Sequence, residues 1–446
     1  MNTYLNTPLE IQKVISLFYK HNLSYNLFKC EHIFHGQNKN LDILFENDDN
    51  YSKASRLLER ENFCLFLPEK VEKFKRKYVR FTDGKFIAIH LHREVAWHGL
   101  KVLDKSLIFS KAKELAPGII VPSSEDSLLI HSAHVLFENF AIRERELQVL
   151  PEYLKRSYNF NYIDQQTKNN YWKKGFYYFL DRYKNKNKIE KKEIIKNYSI
   201  RLLRKPSDLF YLGGKIVKKI LKKIGLQRRG ILIALIGVNG AGKTTISKNI
   251  LEKYNPLTKF LGIKQKTYYF GWQPFSPLAK IGARLFKSKR VFDNVTSNTE
   301  RDKANLFQEL LFAYNYLDYI LRYIFHIYPR LRKGNIVITD RYFYDIYGQY
   351  PYAKSSLVVK SLIKLFPSPD NTFVLDASTE SIMNRGKDGE ERKIKSHEYL
   401  TGQRERYIQL NNIFKNSIVI NTEDSIEDNV NFIINKSWKK MVKKLT

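Results

Sequence analysis

The residues best suited to chemistry lie in one short stretch, Gly-Val-Asn-Gly-Ala-Gly-Lys-Thr-Thr, at positions 237–245. Its spacing fits the pattern G-x-x-x-x-G-K-[ST], with Gly237, Gly242, Lys243 and Thr244 at the defined places. Glycines let the backbone curl so that successive N–H groups point at phosphate oxygens, and a helix that begins there adds its positive end. Lys243 would reach the β- and γ-phosphates, and the Thr244 hydroxyl would hold Mg²⁺. The stretch therefore predicts a site for a nucleoside triphosphate.

A strand and a helix must position this loop, and the sequence supplies both. The β-branched apolar run 231–236 leads into the loop, and helix-forming residues 246–251 lead out of it. From residue 229 onward, strand and helix patterns alternate, which predicts a parallel sheet with helices on both faces. We therefore predict an α/β fold with a P-loop parallel sheet, preceded by a smaller α+β domain.

A second buried strand is predicted over residues 335–342, and it ends in Asp340 and Arg341. An apolar strand that delivers an aspartate beside a phosphate loop is the usual means of holding Mg²⁺ or its water shell. Thr244 and Asp340 are therefore the predicted metal-binding residues.

Several stretches in the C-terminal half of the chain together resemble the thymidylate kinases. They are Leu310-Leu311-Phe312-Ala313, the strand that ends in Asp340-Arg341-Tyr342, and residues 369–376 with Arg385 beyond them. The resemblance covers roughly residues 230–446. It implies that the γ-phosphoryl group of ATP is moved, with Mg²⁺, to a nucleoside monophosphate such as dTMP or to a related small acceptor. It also implies that Arg341 faces the acceptor's phosphate and that residues 421–426 contact adenine.

The resemblance also suggests which further positively charged side chains contact the phosphates. Ala241 stands where some thymidylate kinases carry a catalytic arginine, and in the other branch a lid supplies the cations instead. Arg385 and Arg392, with Lys387 between them, make residues 385–393 a candidate lid, although a charged surface loop is the alternative reading. The predicted catalytic residues are Lys243, Asp340, Arg341, Arg385 and Arg392. The predicted nucleotide-binding residues are Gly237, Asn239, Gly240, Ala241, Gly242, Lys243, Thr244 and Thr245.

The sequence departs from the thymidylate kinase pattern mainly on the acceptor side. Ile236 and Asn239 replace the family's glutamate and aspartate of the phosphate loop. The acceptor-side stretch at 270–274 lacks its arginine, and another arginine position is Tyr316. Losing arginines removes strong charge-assisted bonds to a dianion, so the acceptor stays open between dTMP, another nucleotide and a sugar. A regulatory NTP-binding ATPase with a sensing N-terminal domain and a bifunctional kinase/nucleotidyltransferase are the alternatives.

The N-terminal part, roughly residues 10–155, resembles the small nucleotidyltransferase-like domains. That family holds catalytic Mg²⁺ with two aspartates one residue apart on a strand and a third acid on a later strand. Here those positions are Asn40, Asp42 and His90. We therefore expect a degenerate domain used for binding or scaffolding. On a strand, His90 and His92 would share one face, so they could form a metal cluster with His98, but we expect ordinary polar residues on a half-exposed strand.

The length, net charge and cysteine content of the whole chain limit the number of domains, the partners and the location that can be expected. Its 446 residues suggest domains at 1–155, 156–228 (a basic helical connector) and 229–446. The net charge of +32 comes from lysines spread along the chain, so a nucleic-acid partner is possible but not favoured. Two cysteines and no apolar run of transmembrane length predict a cytoplasmic protein without a disulfide framework. The thymidylate kinase resemblance also implies a homodimer.

Overall fold

The computed structural model describes most of the chain, and the chain divides into two compact units. One unit comprises residues 1–81 and 86–219, and the other comprises residues 82–85 and 220–445. The described residues are 7–29, 40–82, 84–142, 147, 150–151, 154, 158–185, 187–190, 192–196, 206–223, 230–271, 306–349, 356–387, 397–414 and 416–445. Within these residues, no helix is long and apolar enough to cross a membrane.

The N-terminal unit is built on a five-stranded mixed sheet with the order β1-β2-β5-β4-β3. β1 is antiparallel to β2, β2 is parallel to β5, and β3 is antiparallel to β4. The strands are β1 (Tyr25–Phe28), β2 (Asn40–Phe45), β3 (Cys64–Leu67), β4 (Lys75–Thr82) and β5 (Lys85–His92).

Alternation along β2 divides this sheet into two different faces. Leu41, Ile43 and Phe45 join a buried core with helices α1 (Leu9–Lys20) and α2 (Asp48–Arg60). On the opposite face, Leu44 joins a second core formed largely by helical residues further along the chain. That second core includes Leu129, Phe137, Trp172, Phe176 and Phe179. The sheet is therefore covered on both faces.

The second core includes residues from the middle of the chain. The sequence pattern predicts one helix over residues 124–153, whereas α4 (Ser124–His134) continues as a π turn (Val135–Asn139) and ends where Phe140 takes a left-handed φ of 53°. Residues 158–184 lie in the N-terminal unit, because Trp172 and Phe176 pack into its core. The predicted connector, residues 156–228, therefore spans the division between the two units, which falls after residue 219. The remaining elements of this region are β6 (Ala96–Trp97), β7 (Leu100–Lys101), α3 (Lys105–Ser110), β8 (Lys113–Ala116), β9 (Ile119–Val121), α5 (Phe160–Asn169), α6 (Lys173–Lys184) and α7 (Pro206–Lys223).

The C-terminal unit contains the predicted parallel sheet. Its five strands have the order β11-β12-β10-β13-β14, and each neighbouring pair is parallel. Every residue of the central strand is buried, which explains its unbroken apolar run. The strands are β10 (Ile231–Gly237), β11 (Gln265–Tyr269), β12 (Ile336–Asp340), β13 (Asn371–Asp376) and β14 (Ser417–Asn421).

Helices connect these strands and carry several site residues. The sequence predicts one long helix over residues 304–332 or two helices broken at Pro329. The structure has α9 (Leu306–Arg322), a π turn (Tyr323–Ile327) and α10 (Tyr328–Arg332). The other helices are α8 (Lys243–Leu261), α11 (Asp345–Gln349), α12 (Leu357–Leu365), α13 (Thr379–Lys387), α14 (His397–Ile413) and α15 (Ile426–Leu445). Because parallel strands end at the same edge, the loops after β10, β12 and β13 lie side by side there.

Candidate active site

The phosphate loop joins the end of β10 to the start of α8. Gly237, Gly240 and Gly242 have φ values of 146°, 92° and 80°, which L side chains rarely adopt. A Cβ atom on Gly237 would lie 2.3 Å from the backbone oxygen of Leu375 on the neighbouring strand. The glycines therefore let the chain turn sharply while two strands remain in contact.

Lys243, at the first position of α8, folds back over this loop. Its Nζ atom donates to the carbonyl oxygens of Gly237 and Val238, at 3.0 and 2.8 Å. The side chain is buried, and this burial, reinforced by the nearby positive charge of Arg341, lowers the pKa of Lys243 to about 8. The ammonium group thus lies inside the loop and loses its proton at a lower pH than an exposed lysine does.

The two predicted metal-binding residues meet at the carboxyl ends of β10 and β12. The Thr244 hydroxyl donates to the Asp340 carboxylate across 2.7 Å, although the two residues are far apart in sequence. A hydroxyl and a carboxylate oxygen at this spacing are hard ligands of the kind that Mg²⁺ prefers, so these residues fit that ion.

Arg341 follows directly after Asp340 and is buried in a left-handed backbone conformation, with φ of 70°. Its guanidinium donates to the carboxylate of Asp345 and to the side-chain oxygen of Asn239 in the phosphate loop. Burial disfavours the charged form, but the Asp345 carboxylate outweighs it and raises the pKa of Arg341 above its ordinary value. Asn239, which stands where the thymidylate kinase pattern has an aspartate, thus still provides a side-chain oxygen that accepts a hydrogen bond from Arg341.

Asp345 is a site residue that the sequence reasoning does not identify, and the same holds for two of its partners, Tyr407 and Gln349. Besides Arg341, the Asp345 carboxylate accepts from the hydroxyl of Tyr407 on α14 and from the side chain of Gln349. Tyr407 is buried, and burial with the adjacent carboxylate raises its pKa well above the ordinary value. The only sequence signal for Asp345 was its place four residues after Arg341, at the start of a short helix.

Arg385, the first predicted lid cation, lies at the end of α13 beside the phosphate loop. Its guanidinium donates to the carbonyl oxygen of Gly240 at 3.3 Å and to the carbonyl oxygen of Thr422 at 3.1 Å. It therefore links the phosphate loop to the loop predicted to contact adenine. Arg392 lies outside the described residues, and so does the side chain of Lys387.

These groups surround one cleft of about 660 Å³. Six of the eight predicted nucleotide-binding residues line it, together with Asp340, Arg341, Arg385 and, from the adenine-side region, Thr422, Ile426 and Asn429. The six are Asn239, Gly240, Gly242, Lys243, Thr244 and Thr245. The remaining two residues, Gly237 and Ala241, make hydrogen bonds within the loop. The carbonyl oxygen of Gly237 accepts from Lys243, and the buried Ala241 donates its backbone N–H to the carbonyl oxygen of Val238.

The acceptor side is mostly aromatic in the described residues. Tyr316, where the family has an arginine, packs edge-on against the rings of Phe343 and Phe366. Arg322, one turn and a half further along the helix, is buried and donates to the backbone carbonyls of Gly271 and Tyr269. This arginine therefore supports the end of β11. Residues 272–274 of the predicted acceptor stretch lie outside the described residues.

A second charged pair that the sequence did not reveal lies at the end of β13. Arg404 donates to both carboxylate oxygens of Asp376, with distances of 2.6 and 2.8 Å. The backbone carbonyl of Asp376 accepts from the N–H of Thr422. This bidentate pair fixes the end of β13, to which the adenine-side loop is hydrogen-bonded through Thr422.

In the N-terminal unit, the structure corrects the expectation of a half-exposed strand. His90 and His92 are buried, with exposed fractions of 6% and 3%, and both contact Asp42. His98 does not belong to this group. The two histidines do share one face of the strand, as predicted.

Comparison with known proteins identifies the relatives of the C-terminal half. The thymidylate kinase family model matches residues 289–433. A probable thymidylate kinase of Pyrococcus horikoshii is 31% identical over 208 residues, which are 45% of this chain and 92% of that protein. A thymidylate kinase of Mycoplasma mobile is 29% identical over 231 residues, 48% of this chain and 100% of that protein. A solved thymidylate kinase of Candida albicans covers 48% of this chain and 95% of its own at 19% identity, with a TM-score of 0.34, which is too low for a structural comparison.

These relatives decide between the readings that the sequence left open. They favour a phosphotransferase over the regulatory ATPase and over the bifunctional enzyme, and the relatives described above match through the C-terminal half. The predicted resemblance of that half is therefore confirmed. Through its C-terminal half, the chain belongs to the thymidylate kinase family and is an ATP-dependent nucleotide kinase.

Proposed function

We propose that this kinase transfers the γ-phosphoryl group of ATP to a nucleoside monophosphate of the dTMP type. The observation that carries the proposal is the meeting of Thr244, Asp340 and Arg341 in one cleft beside the phosphate loop. The Pyrococcus horikoshii relative, named a probable thymidylate kinase, supports the nature of the acceptor.

On the donor side, the loop and α8 would hold the triphosphate. Backbone N–H groups of the loop would contact phosphate oxygens at the positive end of α8. The ammonium group of Lys243 would exchange the carbonyl oxygens of Gly237 and Val238 for the β- and γ-phosphates. Arg385 would add a positive charge between the phosphate loop and Thr422. The adenine would lie near Thr422, Ile426 and Asn429, which line the same cleft.

Thr244 and Asp340 would hold Mg²⁺, which neutralises charge on the β- and γ-phosphates when it is bound. On the acceptor side, a guanidinium has five N–H donors, so Arg341 can contact a phosphate while it remains bonded to Asn239 and Asp345. An oxygen of the acceptor phosphate would then form a bond to the γ-phosphorus as the bond to the β-phosphate oxygen breaks, and ADP leaves. The chain's part is positioning and charge neutralisation.

A turnover assay with a matched lysine pair tests this proposal. ADP formation from Mg·ATP would be followed across nucleoside monophosphates, nucleosides and sugars, with wild type, Lys243→Ala and Lys248→Ala. Lys248 is the control because it lies on the same helix α8 and is exposed. We expect turnover with dTMP in wild type and Lys248→Ala, and a loss of about a hundredfold or more in Lys243→Ala. Turnover confined to a sugar or a nucleoside would contradict the proposed acceptor.

For the N-terminal unit, we propose a nucleotidyltransferase-like domain that binds or scaffolds and does not transfer nucleotides, with the domain boundary to the kinase near residue 229. The mixed sheet with α1 and α2 on one face supports the likeness. Asn40 and His90 replace two of the three acids, which supports the loss of transfer activity. Incorporation of labelled nucleotide by the full chain with Mg²⁺ would contradict this reading.

We propose a homodimer that uses one face of α9 and the turn after it. Leu310, Leu317 and Ile324 recur every seven residues along this segment, with exposed fractions of 62%, 59% and 46%. Leu321 adds to the same face. A row of exposed aliphatic side chains at this spacing is typical of a helix that packs against a partner. The cysteine content and the use of ATP are compatible with a cytoplasmic location, which we also propose.

A further inference from the structure

The N-terminal unit brings three potential metal ligands together through its strand pairing. β2 and β5 are parallel, and Asp42 lies directly opposite His90 in their register. His92 is two residues beyond His90, so its side chain points to the same face of the sheet. Neighbouring strands are about 4.8 Å apart, which places these three side chains within reach of one ion. The pairing is fixed by the backbone and does not depend on a mobile loop.

The contacts of the three side chains show how close their ligand atoms are. Asp42 Oδ1 lies 3.1 Å from His90 Nδ1 and 2.8 Å from His92 Nε2. One ligand atom from each residue lies within 4.8 Å of the others. All three residues are buried, with Asp42 at 4% exposure, and the ring of Phe28 packs edge-on against His92. Two imidazoles and a carboxylate thus converge in a shielded place.

Lys29 contacts this group of three side chains from the outside. Lys29 Nζ lies 3.4 Å from Asp42 Oδ2, the oxygen that the histidines do not contact. An outer partner on that oxygen orients the carboxylate, as outer-shell groups do at metal sites.

We propose that Asp42, His90 and His92 bind one divalent transition-metal ion of the class that Zn²⁺ represents. Imidazole nitrogens favour such ions, whereas Mg²⁺ and Ca²⁺ require oxygen ligands. The set differs from the paired-carboxylate arrangement of the nucleotidyltransferase-like domains, because Asn40 is not a member and two of the three ligands are nitrogen. The inference goes beyond the kinase activity and does not depend on it, since all three residues lie in the N-terminal unit.

Metal titration of the full chain tests the proposal. The purified protein would be stripped with a chelator and titrated with Zn²⁺ against a chromophoric competitor, and with Co²⁺ followed by its visible d–d bands, both without nucleotide. The variants are Asp42→Asn and His92→Gln, which keep the side-chain size. The control is His134→Gln, because His134 Nε2 also contacts a carboxylate, that of Glu138 at 3.2 Å, outside the proposed ligand set.

We expect about one Zn²⁺ per chain in wild type and in His134→Gln, with affinity at least tenfold weaker in the other two variants. Zn²⁺ should also raise the melting temperature of wild type by mass action. If a variant does not fold, His92→Cys replaces it: binding should persist and Co²⁺ should gain a sulfur charge-transfer band. No binding by wild type, equal binding by wild type and Asp42→Asn, or stabilisation by Mg²⁺ but not by Zn²⁺ would overturn the proposal.

Discussion

At the scale of single residues, the charge of Lys243 is the feature that ligand binding should change. Its ammonium group is buried against two carbonyl oxygens, and burial and Arg341 lower its pKa to about 8. A bound triphosphate would place negative charge beside it and raise that pKa again. Nucleotide binding is therefore linked to the uptake of a proton once the pH exceeds the pKa of the free enzyme.

This linkage predicts that ATP affinity falls as the pH rises above about 8. Below that value Lys243 is already protonated and affinity should be flat, whereas above it each binding event must take up a proton, so the slope of log Kd approaches one per pH unit. Calorimetry with a non-hydrolysable ATP analogue from pH 7 to 9.5, in buffers of different ionisation enthalpy, measures both the affinity and the proton uptake.

The control for this experiment is Lys243→Arg, whose guanidinium does not titrate in this range. Its pH profile should be flat even if its affinity is lower. A flat profile in the wild type would show that Lys243 keeps its proton without nucleotide.

At the residue scale, sequence reasoning is most informative where a motif fixes both the type and the position of a residue. The sequence predicts that Thr244 and Asp340 share a metal ion, and their oxygens lie 2.7 Å apart in the structure. Asp345, Tyr407 and Arg404 were missed because their roles come from tertiary contacts between distant elements. No spacing rule links Asp345 to a tyrosine on α14. The roles of the predicted catalytic residues remain predictions.

At the scale of elements, the turn from β10 into the phosphate loop depends on the absence of a side chain at Gly237. We predict that Gly237→Ala destabilises the protein by about 1–3 kcal/mol and abolishes nucleotide binding, because its φ of 146° and the Leu375 oxygen at 2.3 Å both oppose a Cβ atom. Urea unfolding and binding of a fluorescent ATP analogue measure the two effects.

Gly402→Ala serves as the matched control, since this glycine lies within α14 and a Cβ atom there would meet only the far end of Arg406, at 3.5 Å. Replacing a helical glycine by alanine stabilises by up to about 1 kcal/mol. Equal behaviour of the two variants would contradict the argument from backbone geometry.

Strands can be predicted from the local sequence where all of their residues are buried. The burial of one face of a strand is harder to predict when the covering residues come from distant segments of the chain. The unbroken apolar run of β10 predicts a strand before the phosphate loop, and the structure places this strand between β12 and β13. Alternation along β5 predicted that His90 and His92 share a face, but not that this face is covered. The cover comes from helices later in the chain, such as α6, which the sequence suggested to be a connector.

At the scale of the whole molecule, the proposed homodimer predicts that one charged substitution in the contact separates the dimer into single chains. Wild type should elute with twice the chain mass of 52.9 kDa in light-scattering chromatography. Leu317→Glu should give the single-chain mass, because it places a carboxylate in an apolar contact that then has to be desolvated. Leu115→Glu is the control, since Leu115 is comparably exposed, at 49%, but lies in the N-terminal unit. A monomeric wild type would contradict the proposal.

The order of strands in the kinase sheet has a consequence for how the protein is made. β10 pairs with β12, where Ile231 lies opposite Ile336, and with β13, where Ile233 lies opposite Asn371. A ribosome must therefore add more than a hundred residues before the central strand finds its first partner. During that interval an entirely apolar strand is unpaired, which makes the nascent kinase half dependent on slow, long-range pairing and a natural client for chaperones.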